Sequence, residues 1–351
     1  MANIIIFPIE KHDGRYSKQW YDNIPKLTSK ASRGKWNVIQ LDGIQKDTNL
    51  TPGAFLNFSD TNYWKSTQMC AFLDLYNSGK VTNEDRLLFT DFWNPIITQV
   101  AYMRDLLATK WELHSIVHAG AYDPTDILGM QMQKPWPWHT ERGWFYACDY
   151  NYFATEFHRQ MFLKNLGIPV ADHGRAIRSG QPHELIVSGL ESLRNTPKTN
   201  TVIWPHRYNA DKQPEIAEDL AQWIHSDLKI TQKQKLTKSE YYAQLAQCRV
   251  TLSCSLHENL GISQMEGCLV GSLPCVPDRA SYTEMYLPEF RYPAEWTSSW
   301  HNYQQYRPLL AEFVNQLSSR YENYQELLDQ QNQILKQQFL NCNIMMEILT
   351  A

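Results

Sequence analysis

The residues with the clearest capacity for chemistry lie in the segment SLHENLGISQMEGCLVGSLPCVPDRASYTEMY, where Glu258 and Glu266 stand eight positions apart with Gly261 between them. The preceding run RVTLSCS (249–255) reads as a strand, so Glu258 falls in a strand-to-helix loop and Glu266 lies one to two turns into the helix beginning near Gly261. Asn259, Leu260 and Gly261 then present backbone N–H groups at the helix start, where partial positive charge gathers. The result is an anion site beside two carboxylates, and carboxylate oxygens accept hydrogen bonds from vicinal hydroxyls. About fifty residues upstream, TVIWPHRYNADKQPEIAEDL places Arg207 and Lys212 five apart, after a strand and before a helix, so two cations converge on one loop. Taken alone, these are ordinary solvated loop charges, and two glutamates at this spacing occur by chance in helical proteins. The order of strand, loop and helix around all four gives them weight.

Weaker candidates precede them. The loop IEKHDGRYSKQW after the first apolar run offers Lys11, His12, Asp13, Gly14, Arg15 and Tyr16, with Gly14 able to admit a ligand close to the backbone. It reads equally as a polar surface loop. In IVHAGAYD, His118 occupies the C-terminal end of a strand, where open α/β sheets bind ligands, although a histidine on an apolar strand is more often a satisfied core residue. The aromatic cluster KPWPWHTERGWFY (134–146) reads either as packing or as a platform on which unpaired bases stack, and Trp64, Trp93 and Trp111 carry the same two readings.

The elements that must hold these residues alternate between strand and helix. IIIF (4–7), WNVIQLDG (36–43), RLLFTD (86–91), LHSIVHAG (113–120) and GWFYACD (143–149) are strand candidates, and FATEFHRQMFLKNLGIP (153–169) is a helix ending at Gly167. Continuous apolar strands with helical crossovers specify an α/β fold with parallel sheets covered on both faces. A stretch rich in Gly, Pro, Ser, His and Arg from about 173 to 200 reads as a linker, after which the pattern restarts with TVIWPH (201–206). A first domain over 1–180 and a second over 199–324 are expected, with the helical segment 325–351 returning to the first.

Composition bounds the rest. A chain of 351 residues with 43% hydrophobic and 20% charged residues is an ordinary folded protein of about two domains. No run of eighteen apolar residues occurs and the start lacks the marks of a signal peptide, so no membrane insertion and a cytoplasmic location are expected, the host cytoplasm if the protein is viral. Seven cysteines without a CxxC pair fit reduced thiols in the core. The net charge of −4 gives no global attraction to polyanions, so nucleic-acid contact requires a local basic patch.

The pattern from Ser255 to Glu266 resembles the E-x7-E signature of the GT-B glycosyltransferases that include sucrose synthases and many bacterial mannosyl- and glucosyltransferases. Ser255, Glu258, Gly261 and Glu266 match its "P-S-x-x-E-G-F-G" loop, while Cys254 replaces Pro and Asn259-Leu260 replaces Gly-Phe. Arg207 and Lys212 match the "G-R-x-x-x-x-K-G" loop, with His206 in place of the first Gly. The resemblance implies two Rossmann-like domains facing a cleft and a retaining transfer from a nucleotide sugar, a UDP-sugar first among them. It implies that Glu258 meets donor-sugar hydroxyls, Glu266 the ribose, and Arg207 and Lys212 the departing diphosphate, with His118 near the donor sugar and the first loop on the acceptor side. No D-x-D occurs, so a metal-independent reaction without cofactor is expected. The WPHR…DK.P, HENLG and PEF segments are similar to tRNA-queuosine mannosyltransferases and to bacteriophage glycosyltransferases acting on hydroxymethylated DNA bases. A hydroxymethylated pyrimidine in bacteriophage DNA is the acceptor this implies. The alternatives are cell-envelope or lipid-linked glycans, or a non-catalytic sugar-nucleotide binding module.

Overall fold

The computed structural model describes residues 1–12, 15–46, 57–234 and 236–351. The chain divides into two compact units, Met1–His183 with Asn341–Ala351 and Glu184–Leu340.

The first unit runs β1 (Asn3–Phe7), α1 (Tyr16–Ser32), β2 (Asn37–Gln40), α2 (Phe58–Asn77), β3 (Arg86–Phe89), α3 (Ile96–Leu107), β4 (Glu112–Val117), α4 (Ile127–Gln131), α5 (Pro135–Ala147), β5 (Tyr150–Phe153), α6 (Glu156–Asn165) and β6 (Ala176–Arg178). All six strands are parallel, in the order β2-β1-β3-β4-β5-β6. Strand side chains alternate between faces, so Ile5, Phe7, Leu87 and Phe89 enter one core while Ile4, Ile6 and Leu88 enter another. Because the chain steps outward to β2 and returns to β3 on the far side of β1, the loops after β1 and β3 diverge and leave room between them.

Two expectations are corrected here. Residues 143–147 close α5 instead of forming a strand, because Pro137, Glu141, Trp144 and Phe145 are buried at helical spacing, and the strand begins only at Tyr150. The segment read as a linker holds the edge strand β6 and the helix α7 (Glu184–Glu191), whose Ile186 and Leu190 are buried four residues apart.

The second unit continues with β7 (Thr199–Trp204), α8 (Pro214–Leu220), β8 (Asp227–Ile230), α9 (Lys238–Gln247), β9 (Cys248–Leu252), α10 (Ile262–Leu269), β10 (Leu273–Pro277), α11 (Tyr282–Met285), β11 (Arg291–Tyr292), α12 (Trp300–Ser319) and α13 (Gln325–Gln338). Its parallel sheet is ordered β8-β7-β9-β10-β11, so the same outward step and return fall between β7 and β9. The helix α13 stays with this unit, since Gln331 donates to the Met285 carbonyl at 2.7 Å and Asn332 to the Cys268 carbonyl at 2.9 Å. Only Asn341–Ala351 belongs to the first unit, where α14 (Asn343–Thr350) packs Met345, Met346 and Leu349 into the core beside Trp20 and Ile24 of α1. All seven cysteines are free; six are buried as expected, and Cys70 on α2 is exposed.

The helix α10 crosses β9 closely. A Cβ added at Gly267 would stand 2.3 Å from Thr251 Oγ1 and 3.0 Å from its Cβ. Gly267→Ala, which helix propensity alone would make stabilising by about 1 kcal/mol, should therefore destabilise the second unit by roughly 1–3 kcal/mol through overpacking. Thermal melts of the two proteins decide it, and a higher melting temperature for the variant would show that the crossing yields.

Candidate active site

Two loops leave the strand ends where the order of the second sheet reverses. The loop after β7 carries His206 to Gln213, and the loop after β9 carries Ser253 to Gly261. They are zipped together by the Leu256 N–H donating to the Asp211 carbonyl at 2.8 Å. Gln213, held in the left-handed region with φ 52° and buried, donates from one amide nitrogen to the carbonyls of Cys254 (2.6 Å) and Thr297 (2.7 Å).

The zipping brings Lys212 onto Glu258. The ammonium donates to Glu258 Oε1 and to the His257 carbonyl, each at 2.8 Å, and lies 3.0 Å from Asp211 Oδ2. His206 Nδ1 stands 3.9 Å from the same Glu258 oxygen. Burial opposes the Glu258 charge, but the ammonium outweighs it and holds the carboxyl below its ordinary value. Burial likewise works against Lys212, and Glu258 with Asp211 keeps it above its usual value. Burial pushes His206 down to about 3, with Lys212 and Arg207 adding to the effect against Glu258, so this imidazole is neutral at any ordinary pH. The site is a buried cation and anion in contact, beside an uncharged ring.

Arg207 is exposed, and its side chain makes no hydrogen bond or ion pair among the described residues. Ser255 is buried and its N–H donates to Ser253 Oγ at 3.2 Å, which in turn lies 3.1 Å from the Tyr282 hydroxyl. Gly261 precedes α10 with φ 71°, and a Cβ there would meet the Tyr282 ring at 2.8 Å, so the position requires glycine on both counts. The backbone N–H groups of Leu260, Gly261, Ile262 and Ser263 donate to no partner among the described residues, leaving a helix start open for an anion beside the half-buried Asn259.

Glu266 is buried within α10 but stands apart from the Lys212 pair in its bonding. Lys238 Nζ and the Tyr242 hydroxyl both donate to Oε1 at 2.8 Å, and the Tyr241 hydroxyl donates to Oε2 at 3.0 Å. Sequence reading missed these three residues of α9. Their spacing puts them on neighbouring turns of one helix, yet nothing local indicates which carboxylate they meet.

In the first unit, His118 lies just past β4 with Nε2 3.8 Å from Asp91 Oδ1, and Lys65 of α2 donates to Asp91 Oδ2 at 2.7 Å. Burial lowers the His118 imidazole against the pull of Asp91, while Lys65 keeps the buried Asp91 carboxyl below its ordinary value. Lys65 and Asp91 were not anticipated; Asp91 ends the apolar run RLLFTD, a legible position, whereas Lys65 sits inside a helical pattern. His12 is buried with Nε2 3.0 Å from Glu10 Oε2, and Arg15 precedes α1. Asp13 and Gly14 lie outside the described residues. The structure thus gathers Lys212, Glu258, His206 and the Ser255–Gly261 loop in the second unit and gives His118 and His12 separate carboxylate partners in the first.

No family model and no curated protein sequence matches the chain. Solved structures do. Anabaena HepE in complex with UDP and glucose is similar at 11% identity over 100% of both chains, with a TM-score of 0.60. The UDP-forming α,α-trehalose-phosphate synthase of Burkholderia vietnamiensis is similar at 10% identity over 99% of this chain and 98% of its own, also at 0.60. The pneumococcal O-GlcNAc transferase GtfA in complex with UDP and GlcNAc is similar at 14% identity over 82% of this chain, which spans 59% of GtfA, at 0.51. At these identities the likeness establishes the fold, which is GT-B.

The depressed His206 value has a consequence for stability. Unfolded chains bind a proton below the ordinary value of 6.5 while the folded state declines it until about 3, so this histidine makes stability fall as pH drops through that window. Replacing it by glutamine should flatten that part of the curve. Urea midpoints for wild type and His206→Gln between pH 7 and pH 4 will check this; parallel curves would mean the imidazole is protonated in the folded state.

Proposed function

We propose that the chain is a retaining glycosyltransferase that moves a sugar from a nucleotide donor, a UDP-sugar, to a hydroxymethylated pyrimidine base in bacteriophage DNA. The observation that carries the reading is the buried Lys212–Glu258 contact at the switch point of the second sheet, beside a helix start with open N–H groups. A carboxylate, a cation and an anion site in one pocket of loops are what a sugar joined to a diphosphate requires. UDP is supported by its presence in the HepE and GtfA structures and in the trehalose-phosphate synthase reaction.

In this reading the bond between the anomeric carbon and the diphosphate oxygen breaks, and the acceptor hydroxyl oxygen forms the new bond on the same face. The hydroxyl proton leaves on the departing diphosphate. Lys212 and the exposed Arg207 bind that diphosphate, whose charge grows as the bond lengthens, so the attraction is greatest in the transition state. The N–H groups of Leu260 and Gly261, with Ser255 and Asn259, hold the donor; Glu258 accepts from sugar hydroxyls and Glu266 from the ribose. His118, kept neutral by burial, is the donor-sugar residue of the first unit, and His12, Asp13, Gly14 and Arg15 are its acceptor-side candidates. The absence of a D-x-D pair from the sequence supports a metal-independent reaction.

One observation favours a second acceptor. Tyr102, Leu106 and Leu107 of α3 are exposed together, an apolar face suited to a lipid-linked glycan at a membrane surface. No helix of the described residues is long and apolar enough to cross a membrane.

Release of nucleoside diphosphate from a panel of sugar nucleotides, with hydroxymethylcytosine DNA, hydroxymethyluracil DNA, unmodified DNA or no acceptor, tests the reading. Turnover is expected only with hydroxymethylated DNA, and Lys212→Met or Glu258→Gln should reduce it about 10²–10³-fold. Hydrolysis indifferent to DNA would transfer the proposal to envelope glycans, and no turnover with any donor would refute the transferase.

A further inference from the structure

The outer face of α1 carries a charge pattern that the chain as a whole does not have. Residues 11–35 hold seven Lys and Arg against two Asp, in a chain whose net charge is −4. The helix spans 17 residues, and its buried Trp20, Ile24 and Thr28 mark the face turned to the core. At about 100° per residue, Lys18, Lys26 and Lys30 all fall within about 60° of the direction opposite Ile24. Arg15 precedes the helix and Arg33 and Lys35 follow it, which extends the row at both ends.

Little of this charge is used within the protein. Lys18 pairs with Asp22 at 2.9 Å, one turn along the helix. Lys26, Lys30, Arg33 and Lys35 are exposed, and their side chains make no hydrogen bond, ion pair or ring contact among the described residues. One lysine of this kind is an ordinary solvated charge, but several in a row, with Asp22 the sole acid of the helix, repel one another and sum to a positive field. At 1.5 Å per residue the row is about 25 Å long, a length over which duplex DNA presents about fifteen phosphates. It begins at the loop after β1, on the acceptor side of the proposed reaction. An anionic lipid surface is another large polyanion, and it retains a basic helix through apolar side chains set beside the cations. No large apolar side chain of α1 is exposed, and Leu27 packs against the core.

We propose that the outer face of α1 is a docking surface for the phosphate backbone of duplex DNA, with Lys26, Lys30 and Arg33 as its principal contacts. The surface rests on the nucleic-acid half of the proposed function and is independent of the donor chemistry. It reads no sequence, since phosphate contacts position a duplex without distinguishing its bases.

The test is the salt dependence of binding to a labelled short duplex, followed by fluorescence anisotropy, with UDP binding measured on the same proteins. Each phosphate contact contributes about 0.9 to the slope of log K against log salt. The triple variant Lys26→Gln, Lys30→Gln, Arg33→Gln should therefore bind the duplex at least about tenfold more weakly, with a slope lower by about 2–3, and bind UDP as wild type does. Lys26→Arg with Lys30→Arg, which keeps the charge, should bind like wild type. So should Lys80→Gln with Lys134→Gln, two exposed lysines elsewhere in the first unit. A slope unchanged in the triple variant would overturn the surface while leaving the DNA acceptor standing; UDP binding by wild type without any duplex binding at low salt would remove both. Vesicles of phosphatidylglycerol and phosphatidylcholine form the last arm, and binding to them that falls in the triple variant while duplex binding holds would overturn the surface in favour of a membrane.

Discussion

The contact between Lys212 and Glu258 sets the conditions that the loops of the second unit satisfy. Removing an ammonium and a carboxylate from water is unfavourable by several kcal/mol per ion, and their attraction offsets this only where the geometry is good and remaining donors are used. Here the ammonium spends two bonds, on the carboxylate and on the His257 carbonyl, and faces Asp211 as a second anion. That geometry needs the loops after β7 and β9 in fixed register, which the Leu256–Asp211 bond and the left-handed Gln213 supply. The register in turn needs β7 and β9 to be neighbours, and they are neighbours because the chain steps out to β8 and back.

The first unit repeats the chemistry with different residues. At the ends of β3 and β4, Lys65 contacts Asp91 at 2.7 Å and His118 stands 3.8 Å from the same carboxylate, where the second unit has 2.8 Å and 3.9 Å for Lys212, Glu258 and His206. Both imidazoles are driven toward neutrality by burial although each has an anion beside it. The lysine on each carboxylate adds to the effect of burial, against the carboxylate's own pull on the ring. Both clusters sit at the C-terminal edge of a parallel sheet, where loops diverge and polar side chains can be packed without interrupting strand pairing.

Strands such as IIIF and RLLFTD were legible because a buried parallel strand must be apolar along its whole length. GWFYACD was misread for the same reason that the others succeeded: a buried helix end is also a short apolar run, and only the spacing from Pro137 and Glu141 distinguishes it. At the site, Glu258, Lys212 and Gly261 were visible because each has a type that its local position explains. Lys65 and Lys238 were not, since a lysine on a helix is usually solvated and its partner is fixed by the packing of another element. The tail divided at Leu340, which composition could not show, because Gln331 and Asn332 act through carbonyl contacts with no sequence period.

The bonding of Glu266 limits how the proposed ribose contact can form. A carboxylate has about four acceptor directions, and three are filled by Lys238, Tyr241 and Tyr242. A ribose donating both hydroxyls needs two, so one present donor must withdraw. Tyr241 and Tyr242 are half-buried hydroxyls that would lose a charged acceptor and find little water, which is unfavourable. Lys238 has a side chain 36% exposed and rests over both tyrosine rings, so its ammonium can regain water by a rotation of the stem while the rings stay in place. The lysine is therefore the donor that yields, and the two tyrosines keep the carboxylate aimed. In the proposed contact, nucleotide binding would exchange one cationic donor for two neutral ones, leaving the tyrosine pair to define where the ribose would sit.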